Sequence, residues 1–114
     1  MSEKAVTITQ SEFEQQVTAA SHPVLVDFWA EWCNPCRMLG PTVDQIAEDY
    51  KNRAIVGKVN IDEEPELANR FGVMSIPTLI VFKDGSVAAK SVGVVTKERI
   101  AAMLDEALGG SKTV

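Results

Sequence analysis

Residues 24–36 read Val24-Leu25-Val26-Asp27-Phe28-Trp29-Ala30-Glu31-Trp32-Cys33-Asn34-Pro35-Cys36, and this stretch decides the fold. Val24–Ala30 is apolar except for Asp27, the pattern of a β-strand covered on both faces. Beyond the cysteines, Val43, Ile46, Ala47 and Tyr50 fall four, seven, eight and eleven positions after Leu39, which is one face of an amphipathic helix. Pro41 lies inside that helix and predicts a kink near Arg37–Pro41. The two cysteines of the chain, Cys33 and Cys36, therefore stand where a buried strand hands over to the longest helix.

Upstream, Ala5–Thr9 reads as a strand. Thr9-Gln10-Ser11-Glu12 has capping-box spacing ahead of a helix with Phe13, Val17 and Ala20 on one face. His22-Pro23 marks a turn. Downstream, Ala54–Ile61 predicts a third strand, Pro65 opens a short helix and Gly72 closes it. Thr78–Phe82 predicts a fourth strand, Asp84-Gly85 a hairpin, Ser86–Val92 a fifth strand, and Thr96 caps a last helix running to Leu108. Strands joined through helices are expected to run parallel, with only the hairpin pair antiparallel. The fold class is α/β, a five-strand mixed sheet flanked by four helices.

A chain of 114 residues predicts one domain, here residues 1–108, with 109–114 as a tail. Hydrophobic residues at 46% and charged residues at 24% are globular proportions. The net charge of −5 and the absence of any basic run argue against nucleic-acid and anionic-membrane partners. Neither a leader segment nor a membrane-length apolar run is visible, so the expected location is the cytoplasm, where structural disulfides are disfavoured.

The cysteine spacing lets one helical turn bring both sulfurs within bonding distance. A thiolate at a helix N-terminus faces unpaired N–H groups and the positive end of the helix dipole, which favour S⁻ over SH. Arg37 adds positive charge to the same turn. Cys33, at the open end, is expected to be exposed and nucleophilic. Cys36, one turn in, is expected to be more buried and protonated at rest. A closed zinc site needs about four ligands. Only His22 and carboxylates are available beyond the two cysteines, so zinc would require a dimer. Asp27 shares a strand face with Leu25 and Trp29; it is either a base beneath the cysteine turn or a carboxylate turned to solvent. Lys58 interrupts an apolar strand, either snorkelling at an edge or pairing with Asp27 across the sheet. Trp32 is expected to be exposed, in a docking patch with Pro35, Ile76, Val92 and Gly93, where a side chain at Gly93 would block approach. Trp29 and the methionines are expected in the core.

Asp27-Phe28-Trp29-Ala30-Glu31-Trp32-Cys33-Asn34-Pro35-Cys36, with Arg37-Met38-Leu39-Gly40-Pro41 after it, strongly resembles the thioredoxin family. So do Lys58-Val59-Asn60-Ile61-Asp62, Phe71-Gly72-Val73, Ile76-Pro77-Thr78 and Phe82-Lys83-Asp84-Gly85; the likeness covers roughly residues 5–108. The resemblance implies the thioredoxin fold and a monomeric protein-disulfide reductase with no bound cofactor or metal. It implies electrons from NADPH through a flavin-containing thioredoxin reductase, and clients such as reductases and peroxidases. It favours Cys33 as nucleophile, Cys36 as resolving cysteine, Asp27 as base for Cys36, Lys58 paired with Asp27, and a cis Pro77 packed against the active disulfide. Asn34 stands where the family usually carries glycine. Preceding Pro35, it is pushed out of the α region; its amide N–H₂ can donate to Cys33 and tune the potential toward an oxidase or isomerase, while its carbonyl can do the reverse, so the residue alone leaves the sign open. Met74-Ser75 ahead of Ile76 is the other departure; glycine is common where Ser75 stands, which bears on groove shape and partner choice. A binding module with idle cysteines is the reading from another class.

Overall fold

A computed structural model describes residues 5–109. Five strands form one sheet: β1 (Val6–Thr7), β2 (Val24–Trp29), β3 (Ile55–Asn60), β4 (Thr78–Lys83) and β5 (Ser86–Val92), in the order β1-β3-β2-β4-β5. The helices are α1 (Asn34–Asp49), α2 (Pro65–Arg70) and α3 (Lys97–Ala107), with a further helical segment between β1 and β2.

Strand β2 is central, and its side chains alternate between two apolar layers. Leu25 packs with Leu39, Val43 and Ile46 of α1 and Ile100 and Leu104 of α3. Val24, Val26 and Phe28 pack with Phe13, Val17 and Leu67 on the other side. Cover on both faces is why the strand reads as an almost unbroken apolar run. Asp27 points to the α1 side and is 1% exposed. α1 runs without a break through Pro41, which removes one internal hydrogen bond without ending the element.

The direction of β4 corrects the sequence reading. It follows α2 yet lies antiparallel to β2, while β1 and β2 are both parallel to β3. α1 has 16 residues, about 24 Å of rise, enough to carry the chain back along a strand. α2 has only 6 residues, about 9 Å, against about 20 Å for a six-residue strand. The chain therefore re-enters the sheet at the end where β3 left it.

Three smaller expectations also change. The strand predicted over Ala5–Thr9 is shortened to Val6–Thr7, with one further bond to β3 from the Ile8 N–H to the Lys58 carbonyl at 2.9 Å. The segment after it is a 3₁₀ turn (Gln10–Glu12) and a π turn (Glu14–Thr18), with no side-chain cap from Thr9. Gln16 replaces that capping box: its Oε1 accepts from the Thr9 N–H at 3.3 Å and its Nε2 donates to the Thr7 carbonyl at 2.9 Å. The tail expected over 109–114 lies, apart from Gly109, outside the described residues.

The hairpin follows its sequence signal, since Asp84 and Gly85 both take positive φ. β5 forms the open edge of the sheet, with a register irregularity opposite Val81/Phe82. The close of β2, the close of β3, the start of β4 and the close of β5 all meet at one end of the sheet. That end carries Cys33, Asp62, Pro77 and Gly93.

Candidate active site

The strand-to-helix turn is fixed by backbone bonds. The Cys33 N–H donates to the Ala30 carbonyl at 3.2 Å, and the Arg37 N–H closes the first helical turn on the Cys33 carbonyl at 3.1 Å. Cys33 is the N-cap of α1. Its Sγ accepts a hydrogen bond from the Cys36 backbone N–H at 3.2 Å, so the sulfur takes the place of a capping oxygen. Cys33 and Cys36 form a disulfide with Cα atoms 5.3 Å apart.

The expected contrast in exposure between the cysteines is absent. Cys33 is 5% exposed and Cys36 3%. The disulfide draws the Cys33 sulfur over the helix mouth, and the Ile76 carbonyl lies 3.8 Å from it on the other side. Asn34 is not excluded from the α region: it is the first residue of α1, and Pro35 follows in the first turn, where a missing N–H breaks no helical bond. Both side chains are exposed. The donor on Cys33 Sγ is the Cys36 backbone, not the Asn34 amide.

The Ile76–Pro77 bond is cis. The Pro77 carbonyl accepts from the Gly93 N–H at 2.8 Å, and the Ser75 carbonyl accepts from Thr78 Oγ1 at 2.6 Å. Among the described residues no backbone bond engages the Ile76 N–H. Gly93 takes a φ of +94°, which favours glycine, and a Cβ added there would meet no atom of this chain within 4 Å, so it would project into the open space in front of the site. Trp32 is 67% exposed, with its indole N–H donating to Asp62 Oδ2 at 2.9 Å. It forms a hollow of about 310 Å³ with Ile61, Val73, Met74, Ser75 and Ile76. Val92 is exposed beside it.

Under the disulfide lies an open cavity of about 670 Å³ that Asp27, Trp29, Cys36, Asp44 and Lys58 help to line. Trp29 is thus half-buried at a cavity wall and not a full core residue. Burial pushes the Asp27 carboxyl up to about 7; the Lys58 charge pulls it down and the Asp44 charge pushes it up. Asp27 and Lys58 are register partners across β2 and β3. The ion pair expected between them is not the one Lys58 forms: its Nζ lies 3.4 Å from Asp44 Oδ1. α1 overhangs this part of the sheet and brings the second carboxylate closer than the strand neighbour.

Asp44 and Asp62 escaped the sequence reading as site residues. Asp44 had a signal, since it stands eight positions after Cys36 and so shares its helix face. Asp62 had no signal beyond its place in the Lys58–Asp62 stretch; Met74 is 93% exposed and Met38 is also exposed, which leaves Met103 as the core methionine among the described residues. No group of three or more His, Cys, Asp or Glu side chains among the described residues is placed to hold a metal ion.

A redox-ready cysteine pair at a helix mouth, facing a cis proline on an α/β sheet, defines a thiol–disulfide oxidoreductase. The chain belongs to the thioredoxin family, whose model matches residues 4–106. It is 50% identical over 105 residues to Thioredoxin of Pseudomonas aeruginosa, covering 92% of this chain and 97% of that protein. It is also 50% identical over 104 residues to Thioredoxin 1 of Synechococcus elongatus, covering 91% and 97%, and 45% identical over 101 residues to Thioredoxin of Chlorobaculum thiosulfatiphilum, covering 89% and 94%. Its activity is the reduction of protein disulfides by dithiol–disulfide exchange through Cys33 and Cys36.

Proposed function

We propose that Cys33 is the nucleophile and Cys36 the resolving cysteine of a general protein-disulfide reductase. The observation that carries this assignment is the Cys36 N–H directed at Cys33 Sγ: it stabilises negative charge on Cys33, the sulfur nearer the open end of α1. The Cys33 thiolate attacks a client disulfide, forms a mixed disulfide and releases the first client sulfur as a thiolate. Asp27 takes the Cys36 proton. The Cys36 thiolate then attacks Cys33 Sγ, the Cys33–client bond breaks, and the client leaves reduced. Two electrons pass from the dithiol to the client, and Cys33–Cys36 becomes the disulfide.

Trp32, Pro35, Ser75, Ile76, Val92 and Gly93 form the client groove, with Asn34 at its rim. The free Ile76 N–H and its carbonyl suit pairing with an extended client segment, as in strand addition. Pro77 holds that segment's edge in place, and Lys58 tunes Asp27 through the field it exerts on it. No bound cofactor takes part. Electrons come from NADPH through a separate flavin-containing thioredoxin reductase, and clients are disulfide-bearing proteins such as reductases and peroxidases. The chain works as a monomeric single domain in the cytoplasm; no helix among its described residues is long and apolar enough to cross a membrane.

The test is insulin reduction with NADPH and a thioredoxin reductase, beside thiol titration. Turnover is expected in the parent, and Cys36→Ser is expected to accumulate a mixed disulfide on Cys33. An ordinary, slow Cys33 thiol at neutral pH, or a Cys36→Ser chain that turns over normally, would sink the assignment.

A further inference from the structure

The cavity beneath the disulfide brings together three charged groups from three elements: Asp27 on β2, Lys58 on β3 and Asp44 on α1. Strand register alone would place the Lys58 ammonium on Asp27. Its ion pair is with Asp44 instead, at 3.4 Å. Gly40 lies midway between Cys36 and Asp44 on the same helix face, and even an added Cβ there would sit only 3.8 Å from Lys58 Nζ. The ammonium is therefore laid against a bare strip of α1. Oδ1 of Asp27 and Oδ1 of Asp44 are both buried without a hydrogen-bond partner among the described residues. Two carboxylates compete for one cation, and the structure has settled the competition in favour of Asp44.

We propose that Asp44 is a positioning residue for the resolving step, holding the Lys58 ammonium off Asp27 so that the buried carboxylate is free to take the Cys36 proton and pass it to solvent. This rests on the reading of Asp27 as the base. A carboxylate bonded to an ammonium keeps its charge and is a poor proton acceptor. With Lys58 on Asp44, the ammonium pulls Asp27 down only through its field and not through a direct bond, so burial dominates and the basicity of Asp27 rises; the Asp44 charge acts in the same direction. The Asp44 side chain is 33% exposed, so this corner of the cavity opens to water. The other charged or titratable groups facing the cavity are Cys36 and Arg37 from α1, Glu31 from the turn after β2 and Glu63 from the turn after β3. β4 meets Asp27 with Leu79, which carries no charge.

In the step itself, the Asp27 carboxylate accepts the Cys36 thiol proton. The Cys36–Cys33 bond forms as the Cys33–client bond breaks, and the client thiolate carries away the electron pair. Asp27 then returns its proton to solvent past Asp44.

The test pairs single-turnover insulin reduction by the pre-reduced chain, from about pH 5 to about pH 9, with a carbon-13 titration of the Asp27 carboxyl. Asp44→Asn is expected to move both the Asp27 midpoint and the rising limb of the rate to lower pH, by roughly one unit. Asp44→Glu is expected to restore both. In a Lys58→Met background, Asp44→Asn is expected to move both by clearly less, through the loss of the direct Asp44 charge alone, because the cation it positions is gone. An Asp27 midpoint that stays put in Asp44→Asn overturns the proposal, as does an equal displacement in the Lys58→Met background. A midpoint that moves while the rate does not follow overturns Asp27 as the base, and the link from Asp44 to the resolving step falls with it. Near-ultraviolet circular dichroism reports whether each variant is folded.

Discussion

Asp27 is a carboxyl group inside an apolar core, and its energetics follow from that position. The folded chain keeps its proton up to about 7, whereas the ordinary value is 3.8. Between those two values the folded state binds more protons than the unfolded state, so stability falls as pH rises through that window. Above both values the cost is about 4 kcal/mol. In the disulfide form, Asp27→Asn is therefore expected to leave the unfolding free energy unchanged near pH 4 and to raise it by up to ~4 kcal/mol near pH 8, read from urea titrations at the two pH values. The same substitution is expected to slow the resolving step by roughly 100-fold or more in stopped-flow experiments. A residue that weakens the fold at neutral pH is retained where its proton chemistry is used. Sequence reasoning found Asp27, because a lone acid in an apolar strand is conspicuous. It did not find the direction of the Asp27 shift or the true partner of Lys58, because both depend on how α1 lies over the sheet and local pattern does not encode that.

At the scale of elements, legibility followed locality. β2, α1 and α3 announce themselves through periodicity, and Thr96 caps α3 as its position predicts, accepting from the Arg99 N–H at 3.1 Å. Thr96→Ala is expected to cost about 1 kcal/mol in urea unfolding. The direction of β4 was illegible, since it depends on how far a connection travels and not on the residues of the strand. β1 was overread: Val6 and Thr7 are the residues in register with β3, and beyond them the Ile8 N–H donates to the Lys58 carbonyl. The two strands approach closely. A Cβ added at Gly57 would overlap the fully buried Ile8 side chain and come within 3.2 Å of the Val6 carbonyl. Gly57→Ala is accordingly expected to destabilise the fold by about 1–3 kcal/mol, measured as a lowered urea midpoint with unchanged slope.

For the whole molecule, the redox cycle is also a change in chain connectivity. The disulfide spans a sequence separation of only 3, so opening it releases little loop entropy. In the chain-entropy model such a short bridge is worth roughly 2 kcal/mol. The reduced protein is expected to unfold with a free energy lower by that amount, in matched titrations with and without reductant. A far larger gap would mean that reduction dismantles the helix mouth as well as the bridge. Four strand ends converge at the site, which sits on one rim with the two apolar layers behind it, so reduction is expected to spare the rest of the fold. A different rim has its own consequence. β5 leaves a row of backbone groups unpaired, a template on which copies of the chain could stack into fibres. The irregularity opposite Val81/Phe82 bends that margin, and exposed Lys90 puts charge on it. A chain whose groove is proposed to take the extended segments of others is thereby kept from accreting its own kind.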